Sequence, residues 1–375
     1  MRPPPFTIHI GPNIRKSPYF DATVADGVRS FSVYNHMFIP GHFGDPDAEY
    51  NRLIKGVAQW DVGAQRQVEL FGPDAGRLAQ YLTTRDLSKT SIGQGRYAPI
   101  CNHQGILIND PVLLKVAEDR FWLSIADSDI ALWAEAIALE RTMDVRVHEP
   151  DVSPLAIQGP KAIDVVRALF GDWVSELHYF GFGETNLDGI PLIVSKSGWS
   201  KQGGFELYLM DGSKGTELWE RVKDAGQPFG IGPGAPNDSE RLESGLVSYG
   251  ADGRYQTHPV NPFEIGLGKL IDLDGPDDFI GRDALMAIRA DGIKRRRAGL
   301  IIDGKPITTW QHPVDILHGG SSVGFVSEAT YSSRLGCNIG VGIVSTELAQ
   351  DASDLCVCAD GQERTARLTT LPFIS

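Results

Sequence analysis

The same short pattern occurs twice in this chain: an apolar strand-like run, a Gly-Pro pair and a helix-like segment. The first copy is Gln67-Val-Glu-Leu-Phe-Gly-Pro73, and the second is Leu155-Ala-Ile-Gln-Gly-Pro160. A strand that enters a helix through a fixed turn is a supersecondary unit, and its return after roughly ninety residues indicates an internal duplication. We therefore predict an α+β protein with two related, ferredoxin-like halves.

The pattern changes after Arg297. From there, short apolar runs alternate with glycines, as in Ala298-Gly-Leu-Ile-Ile302 and Gly320-Ser-Ser-Val-Gly-Phe-Val326. Several short strands separated by turn residues predict a small all-β barrel. We expect three units, at residues 1–150, 151–292 and 293–375, the first receiving contributions from the central segment.

The segment Ser197-Gly-Trp-Ser-Lys-Gln-Gly-Gly-Phe-Glu-Leu-Tyr208 has the composition of a hairpin that also forms a site. The pair Gly203-Gly204 allows a tight turn or a close approach to a ligand. Because strand side chains alternate, Glu206 points away from Phe205 and Leu207. Its carboxylate therefore faces either water or a ligand that needs an acceptor.

Composition excludes several partners. The chain has 375 residues, of which 42% are apolar and 22% are charged, as in soluble globular proteins. The net charge of −13 argues against nucleic acid and against an anionic membrane surface. No apolar run approaches the ~20 residues of a membrane helix. We expect a small-molecule substrate, with no nucleic-acid partner and no membrane partner.

Cysteines and sequence motifs limit the chemistry further. The four cysteines lack paired spacing, which together with an N-terminus that lacks the apolar core of a signal peptide indicates a cytoplasmic protein. No phosphate-binding loop, zinc-binding His-Glu-x-x-His motif or serine nucleophile elbow is present. We expect no metal and no flavin. The sequence leaves the oligomeric state open, with a homodimer among the possibilities.

Nine segments, which span most of the chain, form a distinctive series. They are Tyr34-Asn-His-Met37, Trp60-Asp-Val62, Arg66-Gln-Val-Glu69, Gly72-Pro-Asp-Ala75, Asn109-Asp-Pro-Val112, Gln158-Gly-Pro160, Ser197-Gly-Trp-Ser-Lys-Gln-Gly-Gly-Phe-Glu206, Arg241-x-Glu243-Ser-Gly245 and Asn261-Pro-Phe-Glu264. Together they resemble the folate-dependent aminomethyltransferase (glycine-cleavage T-protein) superfamily, and within it they most resemble the dimethylsulfoniopropionate demethylases.

The resemblance implies a ring of three domains around a central folate cavity. It also implies that Glu206 accepts hydrogen bonds from the pterin ring, a role that suits an acceptor-only carboxylate. Tyr97 matches an aromatic position that lines the cavity, and Arg241 lies in a family motif that we assign to cofactor binding. The implied co-substrate is tetrahydrofolate.

Asn109 is a departure from the T-protein pattern, which has an Asp there that assists the amine during aminomethyl transfer. Asn109 cannot ionise, so it can only position a substrate, and this disfavours aminomethyl transfer. Methyl transfer from a sulfonium needs alignment more than acid–base help. Asp110 follows directly and would point to the opposite face of a strand, so we assign it a catalytic role only as an alternative.

A sulfonium substrate should lie against aromatic faces, and its carboxylate should meet a cation. The substrate-binding candidates are the aromatic residues Trp199, Tyr208, Tyr34 and Phe20 and the cations Lys16, Lys201 and Arg15. Trp199 and Tyr208 have an alternative interpretation as hairpin core, and Lys16 as a solvated surface residue.

Two further departures bear on the substrate. Gln65 replaces a Glu of the demethylases, and Arg96 replaces the first of two adjacent aromatic residues. We therefore keep three hypotheses. The first is tetrahydrofolate-dependent demethylation of dimethylsulfoniopropionate to methylmercaptopropionate, with formation of 5-methyltetrahydrofolate. The second is folate-dependent chemistry on another methylated amine or sulfonium, and the third is folate binding without turnover.

Overall fold

The computed structural model describes residues 11–308, 310–359 and 361–374, so the N-terminal residues 1–10 lie outside it. In this part of the chain the helices are α1 (Phe20–Ala25), α2 (Pro46–Lys55), α3 (Ala75–Leu82), α4 (Ile130–Glu140), α5 (Ala162–Phe170), α6 (Gly215–Gly226), α7 (Asp238–Glu243) and α8 (Arg282–Asp291).

The strands divide into a hairpin, two large sheets, a small ribbon and a barrel. In chain order they are β1 (Ser30–Tyr34), β2 (Met37–His42), β3 (Ala58–Asp61), β4 (Gln67–Phe71), β5 (Gln94–Tyr97), β6 (Ile100–Cys101), β7 (Leu107–Asn109), β8 (Val112–Ala117), β9 (Arg120–Ser124), β10 (Arg146–His148), β11 (Ser153–Gln158), β12 (Phe182–Leu187), β13 (Ile190–Ser195), β14 (Gly204–Leu209), β15 (Gly232–Gly234), β16 (Arg295–Ile302), β17 (Val314–His318), β18 (Ser321–Ser332), β19 (Cys337–Ser345), β20 (Leu355–Ala359) and β21 (Gln362–Thr369).

The duplication predicted from the sequence is visible in the strand orders. Sheet 1 has the order β10-β4-β9-β8-β5, so the unit β4-α3-β8-β9-α4-β10 is ferredoxin-like. Sheet 2 has the order β12-β13-β14-β11-β3-β15. It repeats the unit as β11-α5-β13-β14-α6-β15, with β3 inserted between the first and last strands. Thus β3, from the first 150 residues, hydrogen bonds within the sheet of the second unit.

The two Gly-Pro turns are equivalent in structure. Gly72 and Gly159 have φ angles of +138° and +123°, a region that residues with a Cβ rarely adopt. A Cβ at Gly72 would lie 2.7 Å from the Asp144 carbonyl oxygen, and one at Gly159 would lie 2.5 Å from the Gly56 carbonyl oxygen. Both turns therefore require glycine because each lies directly on the backbone of a neighbouring segment.

Each sheet buries one face against its own helices and the other face against the other sheet. Alternate residues of sheet 1, such as Leu113 and Leu123, pack with α3 and α4. In sheet 2, Leu155 and Leu207 pack with α5 and α6. The opposite faces meet in a shared apolar cluster that includes Leu114, Trp122, Ile193 and Tyr208. Side chains on these two facing surfaces are therefore the ones brought together between the halves.

The proposed third unit contains a closed six-stranded barrel of order β16-β19-β18-β17-β20-β21, which confirms the predicted β-barrel. Its interior is apolar, with Leu300, Ile316 and Val357 almost fully buried. Leu242 of α7 packs against Ile339 and Val341 of β19. Helix α7 thus attaches the barrel to the second unit.

The described residues lack a membrane-spanning helix and a metal-binding cluster. None of their helices combines the length and apolar character that crossing a membrane requires. Within the same residues, no three or more His, Cys, Asp or Glu side chains are grouped so that they could hold a metal ion.

Candidate active site

A row of side chains crosses sheet 1 on the face that meets sheet 2. Tyr97 pairs with Val112, Val112 with Ser124, and Ser124 with Gln67. Residues directly opposite each other in antiparallel strands project from the same face. Val112 belongs to the apolar cluster between the sheets, so Tyr97 shares that orientation.

Glu206 lies on the facing surface of sheet 2. In strand β14 it alternates with Phe205 and Leu207, which pack with the helices on the other side. Only 6% of Glu206 is exposed, so the carboxylate is turned inward, as its functional interpretation requires. Ser197 Oγ donates to Glu206 Oε2 at 2.5 Å, and the Tyr208 hydroxyl donates to the same oxygen at 3.2 Å.

The other carboxylate oxygen of Glu206 receives no hydrogen bond from any residue in the described ranges. Burial raises the pKa of Glu206, while the hydrogen bonds from Ser197 and Tyr208 oppose the rise. A buried carboxylate with one free oxygen is a strong acceptor for a ligand that carries N–H groups. The residues present therefore fit a pterin ring.

A polar contact joins the two sheets beside Glu206. Gln67 Nε2 donates to Ser124 Oγ at 3.0 Å, and the Ser124 side chain lies close enough to the Tyr208 hydroxyl to lower its pKa. Burial and the Glu206 carboxylate raise the pKa of Tyr208 well above its usual value, so it stays a donor. Tyr208 is fully buried, and its ring centroid lies 6.4 Å from that of Trp122. In this structure Tyr208 contacts Glu206 rather than forming an open aromatic surface.

Asp110 lies in a second polar cluster. Its Oδ2 accepts hydrogen bonds from the Tyr97 hydroxyl at 2.8 Å and from the Tyr249 amide at 3.0 Å. Burial raises the pKa of Asp110 to about 7 and the Asp252 carboxylate adds to the rise, while the bonds from Tyr97 and Tyr249 oppose it. Asp110 therefore titrates near neutral pH beside the aromatic residue that we assigned to the folate cavity.

Asn109 makes a different set of contacts. It is fully buried, and its Nδ2 donates to the Ala126 carbonyl at 3.0 Å and to Ser128 Oγ at 2.8 Å. Its Oδ1 accepts from the Ala126 amide at 3.0 Å. The side chain is thus occupied in holding the loop at residues 126–128. Of the two neighbours, Asp110 and not Asn109 contacts another candidate residue, because β7 ends at Asn109 and the alternation stops there.

Tyr34 approaches the Asp110 cluster from the hairpin β1–β2. The turn residues Asn35 and His36 have φ angles of +50° and +62°, which is typical of a two-residue hairpin turn. The Asn35 amide donates to Asp127 Oδ1 at 2.8 Å, which fixes the tip of the hairpin. Burial raises the pKa of Tyr34, with further contributions from Asp110 and Asp127.

The N-terminal candidates lie beside the same hairpin. The amide of Phe38 donates to the Arg15 carbonyl at 2.9 Å, so Arg15 forms a parallel bridge with Met37 of β2. Lys16 Nζ lies 4.5 Å from the centroid of the Phe20 ring, while its side chain remains 51% exposed. Phe20 itself is only 4% exposed and stacks on Phe31. Arg15 pairs with Glu149 at 2.9 Å.

Trp199 and Lys201 lie in the loop at residues 196–203, between β13 and β14, which confirms the predicted hairpin. Trp199 is half-buried and Lys201 is exposed. No described residue stacks on the Trp199 indole or pairs with the Lys201 ammonium. Both side chains therefore remain available to a ligand.

The glycines of this loop approach protein rather than a ligand. Positions for a Cβ on Gly198 and on Gly204 lie 2.0 and 2.2 Å from Gln158 Nε2. Gln158 donates to the Ser197 carbonyl at 3.2 Å and accepts from Ser200 Oγ at 2.8 Å. The close approach expected at Gly204 thus serves the Gln158 amide, and Gly203 supplies the turn with φ of +81°.

Within the described residues, Arg241 forms no hydrogen bond or ion pair with the other candidates, although its partner Asp252 also raises the pKa of Asp110. It is fully buried in α7, pairs with Asp252 at 2.6 Å and also pairs with Glu328 of the barrel. These contacts join the second unit to the barrel, whereas the cofactor role assigned from the motif has no contact here that supports it. Burial of this arginine depends on a strand about 87 residues away in sequence, so no local pattern indicates it.

Comparison with known proteins agrees with this architecture. The GCVT N-terminal domain matches residues 19–275, and the glycine cleavage T-protein C-terminal barrel domain matches residues 295–374. The chain belongs to the glycine cleavage T-protein family. This family comprises folate-dependent aminomethyltransferases and related enzymes, so the chain is a transferase.

Relatives within the T-protein family differ in their similarity to the chain. It is 40% identical to the dimethylsulfoniopropionate demethylase DmdA of Ruegeria pomeroyi over 88% of this chain and 89% of that protein. It is 31% identical to an aminomethyltransferase of Shouchella clausii, covering 89% of this chain and 91% of that protein. A probable aminomethyltransferase of Natronomonas pharaonis is 29% identical, with 96% and 99% covered.

The fold itself matches a solved member of the T-protein family. The crystal structure of aminomethyltransferase T from Bartonella henselae superposes with a TM-score of 0.83 at 21% identity, covering 96% of this chain and 98% of that one. This confirms the predicted T-protein-like fold.

Proposed function

We propose that the protein transfers a methyl group from dimethylsulfoniopropionate to tetrahydrofolate, giving methylmercaptopropionate and 5-methyltetrahydrofolate. The observation that carries this proposal is the 40% identity to the demethylase over 88% of the chain, compared with 29% and 31% for two aminomethyltransferases. When bound, tetrahydrofolate supplies the nucleophilic nitrogen N5.

Glu206 supports the folate half of the proposal. Its free oxygen lies on the face of sheet 2 that meets sheet 1, and Tyr97 lies on the facing row of sheet 1. A carboxylate held by two hydroxyl groups is positioned before the ligand arrives. In this arrangement Glu206 orients the pterin by accepting from its N–H groups, and Tyr97 contributes an aromatic wall.

Trp199 and Lys201 support the donor half. The indole and the ammonium belong to one loop, and neither has a partner among the described residues. An aromatic face attracts a sulfonium, and a lysine attracts a carboxylate. Lys16 is a second candidate for the donor carboxylate, and Tyr34 is a second candidate for the sulfonium. Phe20 is packed into its own aromatic cluster and contributes mainly to positioning Lys16.

The two departures from the demethylase pattern have different positions. Arg96 donates to Thr90 and Gln94, and it pairs in register with Leu113 on the helix-facing side of sheet 1. The Arg96 side chain therefore projects from the opposite face of sheet 1 to Tyr97. Gln65 makes a backbone turn with Val62, and its carbonyl accepts from Gln67 at 2.8 Å. Gln65 is thus the departure that lies closer to the network around Ser124.

The experiment is a substrate panel with purified protein and tetrahydrofolate, with chromatography for 5-methyltetrahydrofolate. We expect dimethylsulfoniopropionate to be consumed and methylmercaptopropionate to appear in equal amount. In the Trp199→Ala variant we expect the KM for this donor to rise by about thirtyfold, which corresponds to the loss of ~2 kcal/mol from one desolvated cation–π contact. Turnover of a different donor with none of this one would overturn the proposal.

A second candidate function is transfer from another methylated amine or sulfonium. It is favoured by Asp110, a carboxyl with a pKa of about 7 beside Tyr97. Because this carboxyl can ionise, the absence of an ionisable group at Asn109 no longer argues against amine chemistry. Methylated amines therefore belong in the same panel, and tight folate binding with no turnover of any donor would favour a binding protein.

A further inference from the structure

We propose that Glu240 is the positioning residue that holds the loop at residues 196–203 in its donor-binding conformation, and that it thereby sets the affinity for the methyl donor. The proposal rests on the proposed function only in that this loop meets the donor. The loop conformation itself is a property of the protein alone.

Glu240 concentrates its hydrogen bonds on this loop. Its Oε1 accepts from the Lys201 amide at 3.1 Å and from the Gln202 side-chain amide at 2.9 Å. Ser244, one turn further along the helix region, donates to the same oxygen at 2.6 Å. Glu240 is 1% exposed, and its Oε2 has no partner among the described residues.

Burying a carboxylate with one unpartnered oxygen lowers the stability of the folded protein, so the presence of Glu240 at this position calls for a compensating role. Its two donors from residues 201 and 202 lie directly after Trp199 and Ser200. On the other side of the loop, Gln158 holds Ser197 and Ser200. The backbone is therefore held from two directions, while the side chains of Trp199 and Lys201 form no hydrogen bond, ion pair or ring contact with the described residues.

This combination is what preorganised binding requires. A fixed backbone lowers the entropy that a ligand must offset on binding, and the free side chains supply the contacts. The neighbouring Arg241 and Glu243 extend the support to the barrel. Arg241 pairs with Glu328, and Glu243 accepts from Ser332 Oγ at 2.6 Å. Helix α7 thus connects the donor loop to a rigid base.

The test compares Glu240→Ala with the conservative variant Glu240→Gln and the control Ser239→Ala. Ser239 lies on the same helix but contacts Thr330 of the barrel at 3.4 Å. Hydrogen–deuterium exchange of peptides covering residues 196–203 measures the loop without reference to activity. In Glu240→Ala we expect exchange there to accelerate by about tenfold, from loss of the acceptor that holds the loop.

Steady-state kinetics for the donor and calorimetry for folate then test whether the effect is confined to donor affinity. In Glu240→Ala the KM for the methyl donor should rise by about fivefold or more, while the folate Kd stays within about twofold, since Glu206 is untouched. Glu240→Gln retains one acceptor oxygen, so it should restore most of the donor affinity and loop protection. Ser239→Ala should behave as the unaltered protein in both measurements.

Unchanged exchange in Glu240→Ala would overturn the proposal, and so would a parallel loss of donor and folate affinity, which indicates general disruption. If Glu240→Ala does not fold, Gln202→Met removes a single donor to the same oxygen and should give a smaller increase in exchange. If exchange of residues 196–203 does not increase in Gln202→Met, Glu240 does not hold the loop and the proposal is wrong. If the unaltered protein turns over no donor, the proposed function fails, but the exchange experiment still decides the role of Glu240.

Discussion

Sheet 1 and sheet 2 derive from the same repeated unit, yet the two halves contribute different carboxylates. Glu206 lies inside β14 and is paired in register with Ala156 and Ser195 on both sides. Asp110 follows the end of β7 and is held by Tyr97 and Tyr249, which come from separate segments. A regular strand therefore positions one carboxylate, and tertiary contacts position the other.

This difference suggests a division of labour. Glu206 has two hydroxyl donors and a free oxygen, which suits ligand recognition. Asp110 has a pKa of about 7, which suits a group that changes its protonation during a reaction. The following predictions test that division.

The largest effect is expected from Glu206→Ala. Removing the carboxylate leaves the pterin N–H groups unpaired in a buried site, which costs up to about 3 kcal/mol, or about 100-fold in folate Kd by calorimetry. Asp110→Asn is the matched control, and its folate Kd should stay close to that of the unaltered protein. Unchanged folate affinity in Glu206→Ala would show that Glu206 is not in the folate site. Equal losses of folate affinity in both variants would show that Glu206 and Asp110 do not have separate roles.

The next effect tests whether the two halves are equivalent in structure. Gly72→Ala and Gly159→Ala should each lower the free energy of unfolding in urea by about 2 kcal/mol, since both combine positive φ with a backbone clash. Gly189→Ala is the control, because Gly189 has φ of +95° and no atom within 4 Å of a Cβ. This control variant should lower the free energy of unfolding by about 1 kcal/mol. If Gly159→Ala lowers it no more than the control does, the close approach of Gly159 to the Gly56 carbonyl contributes little to stability.

The same contrast explains what could be predicted from the sequence. Alternation in residues 204–209 placed Glu206 opposite Phe205 and Leu207 but left open whether it faces water or a ligand, and the repeated Gly-Pro turn predicted the duplication. Alternation failed at Asp110 because β7 ends one residue earlier. Insertion of β3 into sheet 2 could not be predicted, because it depends on pairing with β11 and β15, which lie far along the chain.

The residues that the sequence missed share a physical cause. Glu240 lies in a short polar helix whose pattern is typical of an exposed one, yet it is buried against the loop at residues 196–203. For Arg241 on the same helix, the ion pair with Glu328 of the barrel was missed. Ser197 and Gln158 were noted only as parts of motifs. Their close hydrogen bonds to Glu206 and to the loop arise from strand register, which a single sequence does not reveal.

The third prediction concerns pH. If Asp110 receives the proton released on methylation of N5, kcat should rise by about tenfold between pH 6 and 8, following ionisation near pH 7. Asp110→Asn should lose this rise, and a rise that persists in the variant would contradict the assignment. In Tyr97→Phe the carboxylate loses a donor, so the pKa increases and the rise should move to higher pH.

The raised pKa of Asp110 also makes the stability of the protein depend on pH. Because its pKa is raised in the folded state, its contribution to stability is present below its ordinary pKa and is lost as pH increases through about 7. Asp110→Asn should therefore increase the melting temperature at pH 8 more than at pH 5. An equal change at both pH values would show that the carboxyl titrates elsewhere.

The smallest effect is expected from Ser124→Ala, which removes the sheet 1 hydroxyl that lies near the Tyr208 hydroxyl and lowers its pKa. Glu206 keeps its bond from Ser197, so the folate Kd should rise by only about twofold, an indirect effect. Calorimetry of a double-mutant cycle with Tyr208→Phe decides how the effect is transmitted. If Ser124 acts through Tyr208, Ser124→Ala has no further effect once that hydroxyl is absent. Additive losses would instead mean that sheet 1 contacts the folate through Ser124 itself, and the recognition assigned to sheet 2 would then be shared by both halves.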